Sequence, residues 1–275
     1  MHTLLKTGRL FYGLAIIAYG VQQIVIQDFR PQIIPPFPSW AHQYSIFAIS
    51  SGVAMIVLGV ITTGFVKIVS CNPATACLYL GIYFLLLIIT CHIPYLLFIF
   101  PHKLSHLGVW ADLLKVLAFS GGSFVMTTLF LKDQPPTSKN KRSTKDHLFL
   151  AGRLFFCTTM VLFGWSHFVY NSFISQLVPA WLGMSRFWAY FGGVALISAG
   201  LAIALKTFLR QVALLLAIML FLWFVLVHVP GAIANPAAGR GNAIVSAFDA
   251  ILFCGTALAI SRYRNITLTE PEKMN

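Results

Sequence analysis

Acidic residues are nearly missing from this chain: seven Asp and Glu stand against nineteen Lys and Arg in 275 positions. Charge of either sign is scarce, at 9% of residues, where a soluble domain carries about a quarter. That scarcity excludes a water-soluble globular protein. The long apolar runs also lack period-two alternation, which excludes strands of a β-barrel and leaves helices as the way to satisfy backbone groups in lipid. No phosphate loop, nucleophile elbow, C-x-x-C pair or haem-attachment motif is present, so the chain offers no cofactor motif of its own. The five cysteines, Cys71, Cys77, Cys91, Cys157 and Cys254, read as small apolar residues.

What is there is hydrophobic: 58% of residues and a mean hydropathy of +0.82. Spans of about 20 apolar residues fall near 9–27, 44–66, 75–99, 108–131, 150–171, 187–205, 209–230 and 243–261. The fold class is an all-α membrane protein with eight transmembrane helices. The first run is not a cleaved signal peptide on this reading, because QQIVIQDFRP follows it in place of a small-x-small cleavage site. With the N-terminus inside, fourteen Lys and Arg fall on inner segments, and only Arg30, Lys103, Arg186 and Arg240 on outer ones. That asymmetry places both termini in the cytoplasm and the protein in the cell inner membrane. Trp40, Trp110, Trp181 and Trp188 fall near the outer ends, as an interfacial belt does. The net charge of +12 matches anionic lipid head groups. Its spread over several loops argues against nucleic acid.

Residues 132–147, KDQPPTSKNKRSTKDH, form a basic, polar stretch expected to be a flexible cytoplasmic linker. It separates two copies of one unit. GRLFYGLAIIAYG at 8 returns as GRLFFCTTMVLFG at 152, SGVAMIVLG at 51 as GGVALISAG at 192, and HIP at 92 as HVP at 228. WADLL at 110 aligns with AFDAI at 247, pairing Asp112 with Asp249 and Lys115 with Leu252. The domains are thus 1–131, the linker, 148–263, and a cytoplasmic tail 264–275. Four spans per unit make the copies parallel, related by a pseudo-two-fold axis along the membrane normal.

The opening G-R-L-F-x8-G, followed by Gln22 and Gln23 or by Ser166 and His167, resembles the first span of the DoxX family of small four-helix bacterial membrane proteins. The likeness covers both halves. Members of that wider family include a subunit of thiosulfate:quinone oxidoreductase, proteins used in methylamine dehydrogenase maturation, and animal relatives that assist receptor assembly. The resemblance implies an accessory or assembly subunit of a membrane redox or maturation system, partnered by another membrane or redox protein. It transfers no catalytic residue, since fold and function separate readily.

Ionisable side chains at bilayer depth cost about 2.5–3.5 kcal/mol each unless partnered. The candidates come in two sets, Gln23, His92 and Asp112 in the first unit and His167, His228 and Asp249 in the second, all in the outer half. Pro94 and Pro230 are expected to end or kink their helices just after the histidines. Asp112 and Lys115 share a helix face and can neutralise one another. Asp249 is therefore the stronger functional candidate, with His167 or His228 as the expected partner, facing a cavity. Two histidines and a carboxylate could serve a metal, a proton relay or a quinone carbonyl. No H-x-x-x-H or C-x-x-C accompanies the set, so no metal is assigned. Arg9 and Arg153 open the first span of each unit and read as interface anchors. Two functions follow: assembly of a partner complex, or binding and transport of a quinone or other small apolar compound through an outward-facing His/Asp-lined cavity. A stand-alone redox enzyme is the weakest version. Reporter fusions after residue 140 and at the C-terminus should both report inside; an outside signal at either breaks the eight-span topology.

Overall fold

The computed structural model describes residues 2–65, 71–132, 139–237 and 241–263. Among the described residues, eight helices are long and apolar enough to cross a membrane: α1 (Thr3–Ile26), α2 (Ser45–Thr63), α3 (Pro73–Ile99), α4 (Leu107–Leu131), α5 (Thr144–Val169), α6 (Ser185–Ala204), α7 (Leu209–Ala234) and α8 (Asn242–Ser261). There is no strand among the described residues. The chain is an all-α, multi-pass membrane protein. Local chemistry sets several ends. Asn72 caps α3 by accepting from the Ala74 amide at 2.9 Å, with Pro73 in the first turn. Gly64, at φ 75°, closes α2 in the left-handed conformation.

One expectation needs correction. The linker is not coil throughout, since one helix runs over Lys139–Val169; residues 133–138 and the tail 264–275 lie outside the described residues. The helical extension is anchored at its base. Lys145 Nζ donates to the Leu131 carbonyl at 2.8 Å, Tyr263 OH donates to Asp146 Oδ1 at 2.6 Å, and Phe149 stacks on Tyr263. Of the two outcomes expected at the prolines, an end or a kink, the helix end does not occur. Each follows a π turn, Ile88–His92 before Pro94 and Phe224–His228 before Pro230, and the helix continues beyond. A proline ring clashes with the carbonyl four residues back, here Thr90 or Leu226, and the wide π turn opens the backbone at that carbonyl. The repeated histidine is the last residue of the repeated π turn.

Packing obeys the duplication. α1 lies on α2 as α5 lies on α6, α3 on α4 as α7 on α8, and α4 on α5 as α8 on α1, while α4 and α8 meet at the centre. These two are the most enclosed spans, with 83% and 78% of their windows buried against 22–44% for the other six. Helices with no hydrophobic drive between them approach through small residues. A Cβ on Gly20 would stand 2.5 Å from the Gly52 carbonyl, and one on Gly121 would stand 2.6 Å from the Gly152 carbonyl.

The contacts between α4 and α8 fix the internal register. Lys115 meets Asp249, Phe119 meets Phe253, and a Cβ on Gly122 would touch Thr256. The intervals are the same on both helices, as expected for equivalent residues facing one another across a two-fold axis. Ser120 donates to the Gly81 carbonyl just as Cys254 does to that of Ala217. Asp249 is therefore the counterpart of Lys115, and Asp112 that of Ser246. The sequence alignment of Asp112 with Asp249 is displaced by one helical turn. Substituting Leu at Gly121 should destabilise the protein by at least ~1–3 kcal/mol through overpacking, read as a lower unfolding temperature in detergent. Gly231→Ala, which meets nothing within 4 Å, is the control that should leave it unchanged.

Candidate functional site

The polar residues converge on one end of the bundle, late in α1, α3, α5 and α7 and early in α4 and α8. At the axis, Lys115 Nζ lies 3.1 Å from Asp249 Oδ2 and 3.9 Å from Asp112 Oδ1. Tyr19 OH donates a very short hydrogen bond to Asp249 Oδ1. The Lys115 and Asp249 side chains are 15% and 6% exposed, whereas that of Asp112 is 40% exposed. The partners of Asp249 are thus Tyr19 and Lys115, both from the first unit, in place of the expected His167 or His228. Breaking such a pair on one side costs about 3–5 kcal/mol, while replacing both members with apolar residues is often neutral.

The histidines divide between the units. His92 is buried and its Nε2–H donates to the Ile33 carbonyl at 3.1 Å. Gln23, also buried, directs Nε2 at Met55 Sδ at 3.0 Å and leaves Oε1 without a hydrogen bond among the described residues. The first-unit set is enclosed by its own loop, which carries the buried Ile33 and Ile34. In the second unit, His167 Nδ1–H donates to the Ala189 carbonyl at 2.9 Å, and its ring stacks on Trp223 at 5.7 Å and 20°. A carbonyl only accepts, so the Nδ1 proton is assigned and Nε2 of neutral His167 is an acceptor. His228 forms no hydrogen bond among the described residues.

His167 and His228 both line a cavity of about 790 Å³ between α6 and α7. Its walls are apolar: Val178 and Leu182 from the connecting segment, Ala195 and Ala199 from α6, Leu215, Met219 and Leu222 from α7. Ser198 is the one hydroxyl among the lining residues. Asp249 does not line this cavity, so the expected His/Asp lining is corrected to a His/Trp lining. Gly192 makes the histidine end possible, since a Cβ there would stand 2.7 Å from the Trp223 ring and 3.1 Å from His167 Cε1. The first unit has Ser51 at the equivalent position, bonded at 2.7 Å to Tyr83 of α3, which ties α2 to α3. The corresponding pair in the second unit is Gly192 and Met219, which can form no such bond.

The two arginines that open the units also differ from the anchor expectation in part. Arg9 sits over the Phe130 ring at 3.7 Å. Arg153 is 3% exposed and donates to the Ile203 carbonyl at 3.3 Å, at the C-terminal end of α6. Arg153 thus caps a neighbouring helix within the bundle, where cationic side chains are favoured.

Residues 156–265 match a family model described as "Domain of unknown function (DUF8561)". The match lies in the second unit and takes in His167, the groove, His228 and Asp249. No curated protein and no solved structure matches the chain.

Four residues of this region escaped sequence reasoning: Lys115 as partner of Asp249, Tyr19, Trp223 and Gly192. Two of them carry a signal in the aligned repeats. Tyr12 and Tyr19 face Phe156 and Phe163, and both added hydroxyls bond inside the bundle, Tyr12 OH to the Phe119 carbonyl at 2.6 Å and Tyr19 OH to Asp249. Gly192 stands where Ser51 stood. Lys115→Met should lower stability by ~3–5 kcal/mol, and Lys115→Met with Asp249→Leu should recover most of that loss. Equal losses in the single and double variants, measured by unfolding in detergent, would show that the pair is not a unit.

Proposed function

We propose that the second unit binds an elongated, largely apolar small molecule in the groove between α6 and α7, with its polar head at His167, Trp223 and His228. The groove itself carries this reading. Ligand sites are mostly apolar clefts of roughly 300–1,000 Å³ with a few convergent polar groups, and this one is apolar along its length and polar at one end. A quinone meets the description: a planar ring with two carbonyls on an apolar tail. His228 offers a donor, His167 Nε2 an acceptor, and Trp223 a flat aromatic face. The resemblance to the DoxX family, one of whose members is a quinone-linked subunit, favours the same class. On this reading the protein sits in the inner membrane with both termini cytoplasmic, as the positive-inside asymmetry implies.

A second reading, an accessory or assembly subunit of a membrane redox or maturation system, draws on the exposed aromatic cluster on α5 and α6. Trp165, Phe168, Phe187, Tyr190 and Phe191 stand outward there, a surface suited to a partner helix as well as to lipid.

Trp188 and Trp223 line the groove, so binding of a short-chain ubiquinone to the purified protein should quench tryptophan fluorescence saturably. Gly192→Ser, the residue of the first unit, should weaken that binding about tenfold by pushing Trp223 off His167, the equivalent of about 1.4 kcal/mol. Quenching that is linear in quinone, or unchanged by Gly192→Ser, would sink the groove as the site.

A further inference from the structure

The groove and the axial charge cluster are adjacent through the π turn that ends at His228, since that turn lines the groove and packs against α8, which carries Asp249. We propose that ligand binding in the groove is coupled to uptake of one proton by His228, with the Asp249–Lys115–Asp112 cluster setting the pH at which this occurs. The proposal rests on the groove being the binding site.

His228 differs from the other buried or half-buried histidines of this end in having no protein acceptor among the described residues, while His102 and His106 are exposed in the α3–α4 connection. His92 is committed to Ile33, His167 to Ala189, and His42 in the α1–α2 connection to Asp28 and Pro35. A proton can therefore reach or leave His228 without breaking a bond inside the protein. The charges that act on it are those of Asp249, on the helix its π turn packs against, and of Lys115; Asp112 belongs to the same cluster through Lys115, and His167 lines the same groove. The Tyr19 hydroxyl of α1 is committed to Asp249, and Arg30, beyond α1, donates to Gln22 Oε1 at 2.8 Å. With both carboxylates ionised and Lys115 protonated, the cluster carries one net negative charge. Low-dielectric surroundings magnify that imbalance, and a protonated His228 balances it. The imidazolium then presents an N–H to an electron-rich oxygen of the ligand head, a quinone carbonyl being one such acceptor. Asp112, the exposed member, connects the cluster to water.

The test is the quenching titration on the full chain in lipid nanodiscs from about pH 5.5 to about pH 8.5, with short-chain ubiquinone as probe. If the protonated form binds, the apparent Kd is constant at low pH and rises about tenfold per pH unit above a midpoint. Asp112→Asn removes a negative charge and should move the midpoint down; Lys115→Gln removes a positive one and should move it up; His228→Gln should abolish the dependence. Asp112 is half-exposed, so its variant keeps the test decisive if Lys115→Gln does not fold. Saturable binding with a pH-independent Kd, or a midpoint unmoved by Asp112→Asn, overturns the coupling and leaves the groove standing. No saturable binding at any pH overturns both.

Discussion

One ion pair on the pseudo-two-fold axis constrains this molecule: Lys115 of the first unit against Asp249 of the second. Residues facing each other across such an axis are equivalents, so a dimer of identical units would set Lys against Lys or Asp against Asp. Like charges in close contact at bilayer depth are untenable. Complementary charges at this position require two different units, and a single chain that carries both guarantees their pairing. The pair also fixes the register of α4 on α8, because a slide by one turn would leave a buried charge facing apolar side chains. Phe119 on Phe253 and Gly122 on Thr256 then follow along the same seam.

Fusion frees the two units to diverge, and the divergence is directional. In the first, the added hydroxyls of Tyr12, Tyr19, Ser51 and Tyr83 all form bonds within the bundle, and His92 is enclosed beneath Ile33. In the second, phenylalanine, glycine and methionine stand at those places, and the groove lies between α6 and α7. The first unit completes the polar shell of Asp249, and the second carries the groove. The family-model match to the second unit falls on the half with the opening.

Most of the architecture is legible in the composition and the repeat: eight spans, two units and the clustering of polar residues at one end. Boundary chemistry is less legible. The stretch KNKRSTKDH reads as coil because it can bury nothing apolar, yet it continues α5 as a helix, held by the stack of Phe149 on Tyr263, a contact between residues far apart in sequence. The one-turn error between α4 and α8 has a physical cause too. Sliding an apolar helix by three residues preserves its hydrophobic face, so hydrophobicity alone does not tell the register of WADLL on AFDAI that pairs their aspartates from the packed one. The small-residue contacts that resolve it, Gly8 with Gly255 and Gly152 with Gly121, are visible only once the helices are packed.

The repeated histidine shows how a duplicated feature acquires two meanings. A π turn placed before a proline widens the helix and swings its last side chain out of the α-helical register. Both units retain that local device, because the proline that requires it is retained. What the histidine then meets is decided by the neighbouring loop and not by the turn. Where the loop carries Ile33 inward, the imidazole gains a carbonyl and becomes part of the packing. Where the corresponding segment forms the short helix Asn171–Leu177 instead, His228 is left facing an apolar space on one side and a charged seam on the other. An imidazole without a protein acceptor, set between an open groove and an ion pair, is the arrangement in which a ligand and a proton can each change the affinity for the other.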